Sequence, residues 1–555
     1  VNFRFCIALA FVALFGVNTL ASPQGPTPTA PRPRLVVIIS VDQLATWLLN
    51  EAEPHLSEFG FRRLAKEGVR FSDCEFAHAC TMTGPGHATL GTGADPSRHG
   101  IVGNSWFDPK RNESIYCCED KSVRGIGSDS AESMSPLLLR IPTLADQMKI
   151  HFGAASRVVS VAWKDRSAIL TAGRSADVSL WMDKKSGRWV SSTWYGESLP
   201  DWVTALNATQ PLNAWFGATW ARVKGIEAYA DLTDDRPFEP ADHEGRRVLP
   251  RTVNAGERQP NANYYSKLAV TPFGNEAVLR LALQALKEER LGQDDVPDFL
   301  FVGFSANDYV GHAYGPKSVE VRDMTLRTDL LVGELLTSLD MKVGAGRYAL
   351  MLSADHGIPP APEALSGLRV NAGRTDYMLA AAMEANRALT STLGQPPKDH
   401  SRWVLNKDST CLFLDTLALQ KAGHDINIAA DIAAGAVARL DQIEQALPVH
   451  LLTSAQGVID PVFEAIARSV HGERSGHVYV TPKPYWLSGT SASTHGTPYP
   501  YDREVPLFIL GGGETLAEHR GSAVTPGHGV TILSRALGIA RPPFAPAWPP
   551  RGRGY

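Results

Sequence analysis

Leu35–Ser40 (LVVIIS) is a run of β-branched and apolar side chains with no polar face. It reads as a strand buried on both sides, as in the middle of a parallel sheet. Runs of the same character recur at Arg157–Ala162 (RVVSVA), Phe299–Phe304 (FLFVGF), Tyr348–Ser353 (YALMLS) and Val505–Leu510 (VPLFIL), and all read as central strands. Between several of them lie stretches with apolar residues at helical spacing, Asn275–Glu289 and Val319–Leu339. Strands alternating with helices predict an α/β fold, a mostly parallel central sheet sandwiched by helices. No repeat of fixed period interrupts it. Two regions break the rhythm, about 171–274 and about 362–485, and are expected as insertions that cap the sheet and shape access to it.

The ends of the chain differ from its middle. Phe5–Val17 is an apolar run behind Arg4, closed by the small residues of Thr19-Leu20-Ala21, so residues 1–21 read as a secretory signal. Residues 22–34 are Pro-rich and read as an extended tether. Residues 35–555 are then expected to form one folded unit in a secreted, periplasmic protein. No later run is apolar for the ~18 residues a membrane helix needs, and no Cys follows the leader, so no membrane anchor is expected. With 44% hydrophobic and 20% charged residues the chain has the material for a large core. A net charge of -4 without a long basic run argues against a dedicated nucleic-acid partner. Beyond Cys6 the cysteines are Cys74, Cys80, Cys117, Cys118 and Cys411, an odd number with no CxxC spacing. An oxidising compartment permits disulfides, with Cys74 and Cys80 as candidate partners of the Cys117-Cys118 run.

In open α/β sheets functional residues sit beyond the carboxyl ends of the strands. Asp42 follows LVVIIS, Lys164 and Arg166 follow RVVSVA, Asp308 follows FLFVGF, and Asp355 and His356 follow YALMLS. Asp308 and His312 form a D-x-x-x-H pair, and His495 precedes the VPLFIL strand. Three carboxylates and three imidazoles suit two divalent ions with N/O ligands, as zinc takes. Thr81–His87 (TMTGPGH) brings a hydroxyl to a turn that Pro85 makes suitable for opening a helix. Backbone N–H groups there favour a phosphate, and a metal activates an otherwise poor hydroxyl nucleophile. Spacing alone leaves Thr81 and Thr83 as rivals.

The run TMTGPGHATLGTGADPSRHGIVGN resembles the nucleophile region of the alkaline phosphatase superfamily, and most of all its phosphate-irrepressible, threonine-nucleophile alkaline phosphatases. The resemblance extends from Leu35 to about Leu537. It implies Thr83 as nucleophile, Asn104 as a donor to a phosphoryl oxygen, and Lys164 and Arg166 as the pair holding the non-bridging oxygens. It implies one zinc on Asp308, His312 and His495, and a second on Asp42, Asp355, His356 and Thr83. The expected activity is hydrolysis of small phosphate monoesters through a phosphothreonine. The alternatives are a phosphodiesterase/nucleotide pyrophosphatase of the same superfamily, which carries no such Lys/Arg pair, a sulfatase, whose C/S-x-P-x-R setting Cys80–Gly84 does not fit, and a non-catalytic zinc-binding protein. The segments around Trp181, Trp189, Trp194 and Trp202 are expected to shape the pocket, although ordinary packing also uses aromatic residues in this way.

Overall fold

In the computed structural model, residues 31–243, 245–254, 256–454, 460–512 and 514–550 are described. The expected leader and most of the tether lie outside them. A nine-stranded sheet forms the centre. In chain order its strands are β1 (Leu35–Val41), β2 (Val69–Phe71), β3 (Gly125–Ile126), β4 (Val158–Ala162), β5 (Val178–Asp183), β6 (Arg188–Ser192), β7 (Asp298–Phe304), β8 (Tyr348–Ser353) and β9 (Leu507–Leu510). Their spatial order is β2-β9-β8-β1-β7-β4-β5-β6-β3. The block β8-β1-β7-β4-β5 is parallel. Every residue of β1, β4, β7 and β8 is buried, as their unbroken apolar runs require.

Register sets the site. Val41 lies opposite Phe304, Ser40 opposite Ser353, and Gly303 opposite Ala162. The carboxyl ends of four strands are therefore level, and the residues just beyond them share one edge. The expected strand at Val505–Leu510 is shorter and runs antiparallel to β8. The reason is directional. His495 stands at the edge where the parallel strands end, beside Thr81 and His312, so the strand that follows it starts there and runs away from that edge.

The stretch 171–274 does more than cap. Its first part supplies β5 and β6, which widen the sheet, and only the remainder lies outside it. The 362–485 stretch builds a four-stranded antiparallel sheet of its own from Val404–Lys407, Cys411–Leu414, Val478–Pro482 and Ile443–Pro448. Helices Tyr377–Leu393 and Ile426–Val437 cover it around a separate core that includes Trp403, Leu389, Leu412 and Val437. Cys74, Cys80, Cys117, Cys118 and Cys411 are all buried free thiols, so the disulfides that sequence permitted are not formed. Burial pushes the Cys80 thiol up to about 12, which keeps it protonated and inert. No helix among the described residues is long and apolar enough to cross a membrane.

Candidate active site

Helix α1 (Thr83–Thr92) is buried along its whole length, and its composition explains how. Gly84, Gly86, Ala88 and Gly91 leave no side-chain bulk on the faces that meet the core. A methyl group at Gly86 would overlap the Asp355 carbonyl, and one at Gly91 would lie 2.7 Å from the Leu170 carbonyl oxygen. Gly93, at φ 75, closes the helix in the left-handed conformation. Gly86→Ala is therefore expected to force α1 away from the strand end that carries Asp355. Its expected result is loss of the hydrolytic activity and the bound metal that the sequence resemblance implies, read by activity and metal analysis of the purified protein.

Thr83 is the first helical residue, and the N-cap is Met82, so Thr83 does not serve as a cap. Its Oγ1 lies 3.4 Å from both Lys164 Nζ and Arg166 Nη2. Thr81 is otherwise engaged. Its hydroxyl donates to the Thr497 carbonyl at 3.0 Å and is fully buried. Asn104 Oδ1 accepts from the Gly84 N–H at 2.7 Å, which fixes the amide and leaves Nδ2 as its free donor. Asp165 accepts from Tyr116 Oη at 2.8 Å, and Tyr116 Oη in turn accepts from Arg166 Nη1 at 3.2 Å. Asp165 thus orients Arg166 through Tyr116.

The candidate ligands converge. Lys164 Nζ is 2.6 Å from Asp308 Oδ2 and 3.1 Å from Asp42 Oδ2. His312 Nε2 is 3.2 Å and His495 Nε2 3.4 Å from Asp308 Oδ1, and the two Nε2 atoms are 3.2 Å apart. The rings of His356 and His495 stack at 3.5 Å, so His356 stands where the two groups of ligands meet. In each of these histidines Nδ1–H donates to a backbone carbonyl: His312 to Ser493 at 2.8 Å, His495 to Thr81 at 2.7 Å, and His356 to Gly357 at 3.0 Å. That leaves Nε2 as the lone-pair nitrogen, the arrangement by which an outer donor–acceptor pair orients a metal-binding imidazole. Asp42 Oδ2 has Lys164 Nζ at 3.1 Å, whereas Asp355 Oδ2 and His356 Nε2, buried and 3.3 Å apart, make no hydrogen bond. Such orphaned acceptors are costly unless a cation completes them. The donor set, nitrogen and carboxylate oxygen, fits zinc.

The electrostatics agree. Burial opposes ionisation of Asp308, but Lys164 and then His312 outweigh it and hold the carboxyl well below its usual range. Burial also opposes the Asp42 anion, and Lys164 and His87 outweigh it. Asp355 has no such surplus; burial, and after it the Asp42 charge, push it up to about 7. Burial and the neighbouring His495 keep His356 neutral, the form that binds metal.

Several neighbours have no counterpart in the reading of the sequence. His87 donates from Nδ1 to the Thr83 carbonyl at 2.9 Å, and its Nε2 lies 3.3 Å from Asp42 Oδ1. Its only sequence signal is its place in GPGH, one helical turn after Thr83. Tyr116 carried no signal at all. Of the four tryptophans, Trp181 lines the cavity of about 500 Å³ that Arg166 and Lys164 also line. Trp189 packs edge-on against Trp163 in the core, while Trp194 and Trp202 donate to the Arg174 carbonyl and to Glu289. Two larger cavities, of about 800 and 730 Å³, both reach His312.

Comparison with known proteins agrees with this geometry. Residues 36–500 match the family model described as type I phosphodiesterase / nucleotide pyrophosphatase. The chain is 31% identical over 549 residues to alkaline phosphatase PhoV of Synechococcus elongatus, covering 97% of this chain and 96% of that one. It is 29% identical to alkaline phosphatase PafA of Elizabethkingia meningoseptica, over 90% of this chain and 91% of that one. The crystal structure of wild-type PafA superposes with a TM-score of 0.85 at 28% identity, over 93% of this chain and 98% of that one. A sheet of this topology in a chain so matched along its length is that of a phosphatase: the protein belongs to the type I phosphodiesterase/nucleotide pyrophosphatase family, in its PafA-like alkaline phosphatase group.

Proposed function

We propose that this phosphatase is a secreted, two-zinc enzyme that hydrolyses phosphate monoesters through a phosphothreonine on Thr83. The observation that carries the reading is the convergence of Lys164 Nζ and Arg166 Nη2 on Thr83 Oγ1, each at 3.4 Å, beside the buried Asp355 Oδ2 and His356 Nε2, which make no hydrogen bond. When bound, zinc supplies Lewis-acid stabilisation to the attacking and departing oxygens. One zinc is assigned to Asp308, His312 and His495, the other to Asp42, Asp355 and His356 with Thr83.

The chain's own residues do the rest. The two cations, Lys164 and Arg166, receive the phosphoryl oxygens at the start of α1. Lys164 and Arg166 also favour the alkoxide of Thr83. Its Oγ1 gives its proton to water and attacks phosphorus as the ester P–O bond breaks, and the alcohol leaves with a proton drawn from water. Water then attacks the phosphothreonine, the Oγ1–P bond breaks, and inorganic phosphate departs. Asn104 Nδ2 gives a neutral hydrogen bond to the phosphoryl group. Positioning and charge neutralisation, which this arrangement supplies, are what phosphoryl transfer chiefly needs. Substrates are small phosphate esters whose alcohol occupies the cavities reaching His312.

Because the family description also names diesterases, a diesterase reading stands beside this one. The monoester dianion gains more from two fixed cations than a diester monoanion does, which favours the first. The test is hydrolysis of a chromogenic phosphate monoester. Activity is expected to vanish on treatment with a chelator and to return with added zinc. Persistence of full activity after verified metal removal would end the proposal.

A further inference from the structure

Gln43 follows Asp42 at the end of β1 and is only 3% exposed. Its φ is 66°, in the left-handed region that L side chains rarely adopt. The Leu44 N–H donates to the Val41 carbonyl at 3.2 Å, so Gln43 is the third residue of a tight turn. Positive φ at that position favours Gly or Asn. A long side chain there costs backbone energy, and the structure shows what it does. The Gln43 backbone N–H donates to Asp355 Oδ1 at 3.0 Å, and its side-chain Nε2 donates to Asp308 Oδ1 at 2.7 Å. Asp355 and Asp308 belong to the two different metal assignments. The amide also needs room. Gly311 faces it from the helix that carries Asp308 and His312, and a methyl group at Gly311 would overlap Gln43 Oε1.

We propose that Gln43 is a positioning residue that ties the two metal clusters to the end of β1. The backbone of Gln43 orients one carboxylate, its side-chain amide orients the other, and Gly311 keeps that amide in place. The proposal rests on the two-zinc reading. It accounts for a glutamine where the turn favours glycine and for a glycine inside a helix, and it gives Asp308 an amide donor on Oδ1 beside the Lys164 ammonium on Oδ2. Partners of this kind orient metal-binding carboxylates, and their loss weakens metal affinity by about 10–100-fold.

The variants Gln43→Gly, Gln43→Asn and Gly311→Ala separate this role from packing. Glycine keeps the backbone donor, relieves the left-handed backbone and removes the amide. Asparagine tolerates the backbone but falls one methylene short of Asp308. Alanine at 311 keeps the amide and displaces it. Each full-length variant is loaded with zinc and titrated with a graded chelator series, beside melting of the metal-free form. The wild type is expected to hold two zinc equivalents. In all three variants one equivalent is expected to weaken by about 10–100-fold while the other stays near wild type. Metal-free Gln43→Gly is expected to melt no lower than the metal-free wild type. Two wild-type zinc affinities in Gln43→Gly would overturn the proposal and leave the two-zinc reading standing. So would a lower melting temperature with unchanged zinc binding. A wild type that takes up no zinc would overturn both.

Discussion

Thr83→Ala is expected to lower kcat/KM for a chromogenic monoester by about 10³-fold or more, with little change in folding. A residue whose oxygen makes and breaks the bond to phosphorus has no substitute in its own site, and removal of such a nucleophile costs several powers of ten in other hydrolases. The fold should tolerate the change because Thr83 is not the cap of α1 and, among the described residues, its Oγ1 forms hydrogen bonds only with Lys164 and Arg166, long ones at 3.4 Å. Alanine is a good helix former at that position. Thr83→Ser keeps a hydroxyl and is expected to retain measurable turnover. Acid quench of the working enzyme, followed by peptide mass spectrometry, is expected to find phosphate on Thr83. Thr83→Ala turning over at more than about a tenth of the wild-type rate would remove the phosphothreonine from the mechanism. Thr81 offers no rescue, since its hydroxyl is spent on the Thr497 carbonyl.

Lys164 and Arg166 are expected to separate in their effects on stability. Lys164 is 3% exposed and lies between Asp42 and Asp308, whose Oδ2 atoms are 3.1 and 2.6 Å from its Nζ. Burial disfavours its charge, but Asp308 and then Asp42 outweigh that and raise its pKa. Removing it leaves two buried carboxylates short of a cation, which costs about 3–5 kcal/mol. Lys164→Met should therefore unfold at a markedly lower temperature in chelator, and zinc should restore much of the loss by supplying positive charge to the same oxygens. The Arg166 side chain is 18% exposed and its nearest carboxylate is Asp165 at 3.9 Å. Arg166→Ala should change stability little and lower monoester kcat/KM by about 10²–10³-fold, the scale of losing one charged donor to the transition state. Diester turnover should fall less. Equal losses on both substrates would take monoester recognition away from Arg166. An unchanged melting temperature for metal-free Lys164→Met would show that Asp42 and Asp308 do not depend on it.

Much of this was legible before folding because the relevant information is local. A strand buried on both faces must be apolar along its length, so β1, β4, β7 and β8 announced themselves. Chemistry at a parallel sheet collects at strand ends, so Asp42, Lys164, Arg166, Asp308, Asp355 and His356 could be picked out by position alone. The turn in TMTGPGH that opens a helix beside a hydroxyl was equally plain, whereas the burial of α1 past Asp355 was not. Strand direction was harder. Periodicity is the same for parallel and antiparallel strands, and β9 runs against β8 only because its chain starts at the catalytic edge. Likewise β5 and β6 sit in a stretch rich in turn residues, and pairing with β4 and with each other makes them part of the sheet.

Composition and spacing determined the fold class, the row of ionisable groups and the choice of a hydroxyl near GPGH. Packing in three dimensions determined everything that depends on distance between remote segments. It engaged Thr81 with a carbonyl 416 residues away and left Thr83 facing two cations. It brought Tyr116 to Arg166, His87 to Asp42, and Gln43 to both Asp308 and Asp355. None of these contacts has a sequence signature, because a hydrogen bond within a site is set by where the backbone returns, and residue type constrains only what each group does on arrival.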